Sequence, residues 1–256
     1  MQTLKTLWKE RKYLFVLSWR FLKEKYIGSV LGIAWAFITP LILAGVISLI
    51  FGKMAKINLP RYPLFVLSGL LPWMYFSQTI QESCYILLSS TTLLKQFTFS
   101  PVLIPFSRSG ANFLNFLFGF TVILPAFLFF EPSFICLFFL PLFLFLFFLF
   151  TTGWCLFLCW LHVFFRDTGH LISLVLLFWF WLTPIFYTLS FVPLPYRNWL
   201  LFNPMTPFVI IFQKLLYEGK FPSFGWLGLA ILNMIIFFGL GFITFERKIN
   251  EAIKRL

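Results

Sequence analysis

Four residues, Phe164-Phe165-Arg166-Asp167, separate two long apolar runs, and they constrain the fold more than any other stretch of the chain. Residues 134–160 carry no charge, and neither do residues 171–189. A cation or an anion left in hydrocarbon costs several kcal/mol, so the Arg-Asp pair marks a point where the chain leaves a bilayer and turns back into it. Composition agrees. Of the 256 residues, 61% are hydrophobic and only 11% charged, against about 25% charged in a soluble domain. The net charge of +12 is not a nucleic-acid footprint, because the basic residues gather at the two ends and in short connections rather than on one soluble face. They set orientation in a membrane instead.

Taken in order, the chain predicts an all-α integral membrane protein with six transmembrane helices. It reads as a cytoplasmic interface helix at 1–29 and a six-span transmembrane domain at 30–256 with a short cytoplasmic C-tail. In the N-terminal part, Leu14, Leu17, Phe21 and Leu22 fall on one helical face and Arg20, Lys23 and Glu24 on the other, the pattern of an amphipathic helix in the membrane interface. Lys5, Lys9, Arg11, Lys12, Arg20, Lys23 and Lys25 place this end in the cytoplasm. The first apolar run starts near Val30 and lacks a small-residue cleavage site, so no secretory signal is expected. The spans are expected at 30–51, 63–88, 107–130, 134–165, 171–189 and 224–245. Span 2 carries Pro72 and a polar end at Ser77, Gln78, Gln81 and Glu82; span 5 is expected to kink at Pro184. Glu131-Pro132 reads as a short outside turn. Between spans 5 and 6, Pro-rich sequence with apolar runs too short to cross predicts re-entrant or interfacial helices, split at Asn203-Pro204. Basic residues are more numerous on the side given to the two termini, which agrees with both ends inside.

Chemistry is sparse. No G-x-x-x-x-G-K-[ST] phosphate loop, G-x-S-x-G or H-E-x-x-H occurs. His162 and Asp167 have the spacing of the acid–base pair of glycerolipid acyltransferases, but the second block of those enzymes is missing. Cys84, Cys136, Cys155 and Cys159 lie in or beside apolar runs and read as small packing residues. Arg108, Asn112, Asn115 and Gly119 recur at i, i+4, i+7 and i+11, forming one stripe. It suits either a helix–helix seam joined by amides or a polar track beside a water-filled path. Trp35, Trp73, Tyr75, Trp179, Trp181 and Tyr187 suit either lipid-interface belts or a path that stacks on sugar rings.

Six segments together resemble one family. They are Lys25-Tyr26 with GSVLGIAWAFITP from Gly28, GLLPWMYFS from Gly69, LLKQFTFSPVLIPFS from Leu93, VFFRD from Val163, TPIFY from Thr183 and NPMTP from Asn203. In this order the chain resembles, over nearly its whole length, the transmembrane permease subunit of type-2 ABC exporters. The branch is the one that exports polysaccharides and polyol phosphates (O-antigen of lipopolysaccharide, capsule, teichoic acid). One departure is Ser100-Pro101-Val102, where the family usually shows Pro-Arg-Glu. The resemblance implies a homodimer in the bacterial inner membrane with a pore between subunits, built mainly from spans 1 and 5. It implies a separate cytoplasmic ATP-binding subunit in two copies, which holds the ATP and magnesium; this chain would bind no cofactor and catalyse nothing itself. Phe164, Phe165, Arg166 and Asp167 would receive the ATPase's motion, the aromatic and stripe residues would line the translocation path, and Asn203-Pro204 would shape the exit. The cargo would be a lipid-linked glycan. A permease of the same fold for drugs or small lipids is the alternative, and an acyltransferase-like enzyme the next.

Overall fold

In a computed structural model, residues 7–96, 100–123, 125 and 134–256 are described, and among them every regular element is helical. Helix α1 (Arg11–Glu24) precedes a composite helix, Gly32–Met54. That composite consists of a 3-10 turn, α2 (Trp35–Ile47) and a π turn (Ser48–Met54). Next come α3 (Tyr62–Ser89), α4 (Thr91–Gln96), α5 (Leu103–Phe120), α6 (Phe134–Phe164) and α7 (Thr168–Leu182). Two short helices, α8 (Leu194–Arg197) and α9 (Trp199–Phe202), lead to α10 (Thr206–Gln213), which a π turn extends to Glu218. The last helix is α11 (Phe224–Arg255).

Helix α3 is the axis of the bundle. It is 28 residues long, runs unbroken through Pro72 and is buried along most of its length. Its polar side chains disqualify it as a lipid-facing span but suit a helix surrounded by others. Among the described residues, three helices are long and apolar enough to cross a membrane alone: Gly32–Met54, Phe138–Phe164 and Phe224–Arg255. Where a third span is expected at 107–130, the described helix starts earlier, at Leu103, and runs to Phe120. The expected Glu131-Pro132 turn lies outside the described residues.

One expectation is corrected. Pro184 does not kink a continuing helix; α7 stops at Leu182, and Thr183 takes extended backbone (φ −97°, ψ 133°), because the proline ring excludes the helical conformation from the residue before it. The segment after it is held by buried polar contacts: Gln213 Nε2 donates to Pro184 O (2.8 Å) and the Tyr62 hydroxyl to Phe186 O (2.5 Å). At the C-terminal end α11 continues as one 32-residue helix through the basic residues. That is about 48 Å at 1.5 Å per residue, well beyond a hydrocarbon core of ~30 Å.

Helices α6 and α11 form the tightest pair. A Cβ added at Gly241 would sit 2.0 Å from Gly153 O, and one at Gly153 would sit 2.5 Å from Phe237 O. The two backbones touch because neither residue has a side chain, the usual device for helix contact in membranes, where lipid offers no hydrophobic drive. All four cysteines are free and buried. Helix α1 seats Phe21 and Leu22 into a cluster with Ile86, Leu87, Ile104 and Phe245, on the face its sequence pattern assigns.

Candidate functional site

The turn at 165–167 closes α6 and opens α7. Phe165 is exposed, as are Arg166 and Asp167, so the charges expected at a membrane surface stand free of the bundle. Phe164 is held instead: the Arg255 guanidinium lies 4.2 Å from its ring centroid and Lys248 Nζ 6.0 Å away. The basic end of α11 therefore grips the turn, a contact that joins residues 91 positions apart in sequence (255 against 164). Just beyond the turn, a Cβ on Gly169 would lie 2.3 Å from the Tyr85 hydroxyl, so α7 meets α3 without a spacer. One turn further on, Gln81 Nε2 donates to Ser173 Oγ at 3.2 Å.

The polar stripe of α5 faces a charge cluster that sequence reasoning missed. Glu82, on α3, has Lys25 Nζ 3.0 Å from Oε1 and Arg108 Nη1 3.7 Å from Oε2. Asn112 Nδ2 donates to Glu82 Oε2 at 3.0 Å, and the Lys25 ammonium donates to Asn112 Oδ1. The Arg108 guanidinium also lies over the Phe21 ring at 4.3 Å. Burial pushes the Lys25 ammonium below the usual lysine range, against the raising effect of Glu82. The cluster ties α1, α3 and α5 together with one cation in excess. A carboxylate inside an apolar helix needs a cation at its own depth; that requirement was the signal available in the sequence, with Arg108 on the next helix as one answer. Gly119 completes the stripe, where a Cβ would lie 3.0 Å from Ala36 O. The stripe is therefore the helix–helix seam, and of its polar residues only Asn115 reaches open space.

That space is a cavity of about 480 Å³ between α1, α2, α3 and α5. Trp35 forms an aromatic wall; Gln78, Gln81 and Asn115 offer amides, and Ser77 and Thr39 hydroxyls. Tyr26 stands at its edge and donates its hydroxyl to Asn115 Oδ1. An indole face among amides and hydroxyls matches the alternating apolar and polar faces of a sugar ring.

The other aromatic candidates separate. Trp73 and Tyr75 are 5% and 2% exposed and line no open surface in this structure. Trp73 packs on Phe76, Trp179 and Phe180, and Tyr75 sits among Phe113, Phe116 and Phe147 while its hydroxyl shares a hydrogen bond with Ser109 Oγ. Their large rings fill the core around α3, which is why they lie deeper than an interfacial belt. Trp179 is half-buried and Trp181 is exposed. Tyr187 bonds to Trp181 O (3.3 Å) and lines a separate 250 Å³ cavity beside Lys56 and Asn58.

Asn203 is a clasp. Its Oδ1 accepts from Trp179 Nε1 (2.7 Å) and from the Met205 backbone N–H (3.0 Å), and its Nδ2 donates to Thr183 Oγ1 (3.0 Å) and Leu182 O (3.3 Å). Pro204 O accepts from Asn233 Nδ2 at 3.2 Å. The chain bends by 105° here, between Leu194–Phe202 and Thr206–Glu218, where the sequence places a split.

Long apolar helices around a polar cavity, with a charged turn held at one end of the bundle, define a helical integral membrane protein of the permease class. The chain belongs to the ABC-2 type transporter family, whose profile matches residues 12–217. Relatives similar to it include two proteins from Klebsiella pneumoniae, each named O-antigen export system permease protein RfbA. One is 29% identical over 80% of both chains and the other 27% identical over 91% of both. A protein of the same name from Myxococcus xanthus is 28% identical over 97% of both chains.

Proposed function

We propose that the chain is the channel-forming permease subunit of an ATP-driven exporter that moves a lipid-linked polysaccharide across a bacterial inner membrane. The observation that carries this reading is the cavity beside Trp35, whose indole, amides and hydroxyls suit sugar rings and sit inside an apolar helical shell. Relatives named as O-antigen export permeases over nearly the whole chain support the same cargo class. On this reading the protein works as a homodimer with six spans per subunit and both termini in the cytoplasm. Residues 1–29 form the interface unit and 30–256 the transmembrane unit, and α8 to α10 form a re-entrant pair on the outer side.

Two copies of a separate ATPase subunit, which hold ATP and magnesium, press on residues 164–167. Closure of the ATPase dimer moves this turn. The glycine-locked α6–α11 pair follows as one rigid body, because packed helices shift rather than deform. Helix α7 follows too and carries Ser173 against Gln81, a wall residue of the cavity. The push thus reaches the cargo path through one hydrogen bond and one close helix contact.

The test is affinity capture of the tagged protein from native membranes in mild detergent, with mass spectrometry of what co-purifies, followed by depletion of the chain in cells. An ATPase subunit at about one copy per permease is expected, with loss of a surface glycan and accumulation of its lipid-linked precursor inside. Absence of an ATPase partner, or unchanged surface glycan after depletion, overturns the reading.

A further inference from the structure

A second cavity, of about 430 Å³, lies on the opposite side of α5 from the polar one. Its walls are the seam of α5 and α6, from Gly110 and Phe148 at one end to Leu117 and Pro141 at the other, and α1 stands across the first end with Arg11 and Phe15. Seven helical residues separate Gly110 from Leu117, a groove of about 10 Å along the axis, or most of one leaflet of a ~30 Å core. The lining is apolar almost throughout. The Ser18 hydroxyl in it is already committed to Leu14 O at 2.8 Å, so water in the groove would find few partners, and apolar cavities of this kind stay dry. The groove exists because Gly110 lets α1 sit on α5: a Cβ there would lie 2.6 Å from Ser18 Oγ.

Charge identifies the occupant. Lys9, Arg11 and Lys12 are all exposed at the end of α1 beside the groove. The Arg11 guanidinium has five donors; one bonds Trp8 O at 3.1 Å, and the guanidinium lies 5.1 Å from the Trp8 ring centroid, which leaves its outer edge for a phosphate. A basic end opening onto a dry apolar groove that points into the bilayer has the shape and polarity of a phospholipid. We propose that this groove is a structural binding site for one anionic phospholipid of the leaflet that α1 faces, with an acyl chain along Gly110–Leu117 and the headgroup phosphate on Arg11. The lipid completes the packing of α1 on α5 and α6; it is distinct from the cargo, whose cavity lies across α5. The site rests on the membrane embedding alone and stands whether or not the cargo is a glycan.

The test uses the full-length protein with whatever partner subunit co-purifies, in mild detergent. Phosphatidylglycerol carrying a photoreactive group midway along one chain is added, and labelled peptides are mapped. Labelling of 110–117 and 141–148 is expected. Labelling confined to the exposed faces of α7 and α11, or a groove shielded by a second protein chain in the assembled complex, overturns the proposal. Native mass spectrometry then compares phosphatidylglycerol with phosphatidylcholine of the same chains. The parent protein is expected to retain the anionic lipid preferentially, and Arg11→Gln to reduce that preference about fivefold, as loss of one basic group near a charged headgroup does. Equal retention of the two lipids by the parent, or an unchanged preference in Arg11→Gln, overturns the headgroup assignment. Leu117→Trp, which fills the groove from its far end, is expected to abolish labelling while α1 stays seated; persistent labelling in a folded Leu117→Trp protein also refutes the site.

Discussion

Replacing Glu82 by Gln tests the charge cluster most directly. Glutamine keeps the shape and one acceptor oxygen, so Asn112 retains a partner, while the charge and the acceptor that faces Lys25 are lost. Lys25 and Arg108, whose side chains are 12% and 16% exposed, are then two cations facing each other with no anion. Removing one member of a buried ion pair costs about 3–5 kcal/mol. Glu82 is 28% exposed, so water screens part of the loss and the low end of that range, about 3 kcal/mol, is expected. For a chain of this size, each kcal/mol moves the unfolding midpoint by roughly 2–4 °C, which gives a drop of about 6–12 °C. Lys25→Gln is expected to cost far less, about 1–2 kcal/mol, because Glu82 keeps Arg108 and the cluster becomes neutral. The double variant removes the anion and one of the two cations, so it is expected to recover part of the Glu82→Gln loss, a coupling of the sign that contacting charges give. The assay is thermal unfolding in detergent, read as the folded fraction remaining on size exclusion. A Glu82→Gln midpoint within 2 °C of the parent, or a Lys25→Gln loss as large as that of Glu82→Gln, refutes the reasoning.

Gly241→Ala is expected to force α11 off α6 and lower the midpoint by several degrees through overpacking of ~1–3 kcal/mol. Gly239→Ala, where an added Cβ meets nothing within 4 Å, is expected to be neutral or slightly stabilising; equal effects of the two on thermal unfolding would count against the glycine contact. Asn203→Leu removes two accepted and two donated hydrogen bonds and leaves Trp179 Nε1 unpartnered. A loss of about 2–4 kcal/mol is expected, visible as a lower midpoint with altered tryptophan emission. Arg166→Ala and Asp167→Ala are expected to abolish export while the protein remains inserted and stable, since both side chains are exposed; wild-type export in both ends the coupling role of the turn. Trp35→Ala is expected to weaken export by loss of ring stacking, checked as the amount of glycan at the cell surface against a Trp181→Ala comparison.

The sequence was most informative where one physical requirement acts on a contiguous stretch. Charge exclusion from hydrocarbon located the turn at 165–167, and helical periodicity identified the face of α1 that is buried. Proline and asparagine chemistry located the bend at Asn203-Pro204. It was least informative where a residue's role depends on a partner far along the chain. Trp73 and Tyr75 carry the same amphipathic rings as Trp35, and nothing local distinguishes a ring that fills the space beside α3 from one that borders a cavity. Gln213 and Tyr62 gave no sign that they hold the extended segment after Pro184, since their acceptors are backbone carbonyls rather than matching side chains.

The residues of the stripe Arg108, Asn112, Asn115 part at different heights of the same helix. The first two meet Glu82 and Lys25 and are consumed by structure; the third, one turn higher, meets the cavity. The division falls where it does because a buried charge must be matched before anything else. The Glu82 carboxylate draws in a cation from α1 and another from α5, and the amide nearest to them completes the carboxylate's hydrogen bonds. What remains beyond that point, Asn115 with Tyr26 and the glutamines of α3, is polar but uncharged. Neutral donors and acceptors can exchange partners with passing hydroxyls at small cost, whereas a fixed ion cluster would trap or repel a cargo. The charge cluster is therefore fixed by its own pairing at one side of the cavity, which Lys25 also lines, and under the proposed export function the neutral groups beside it are the ones that would meet a cargo.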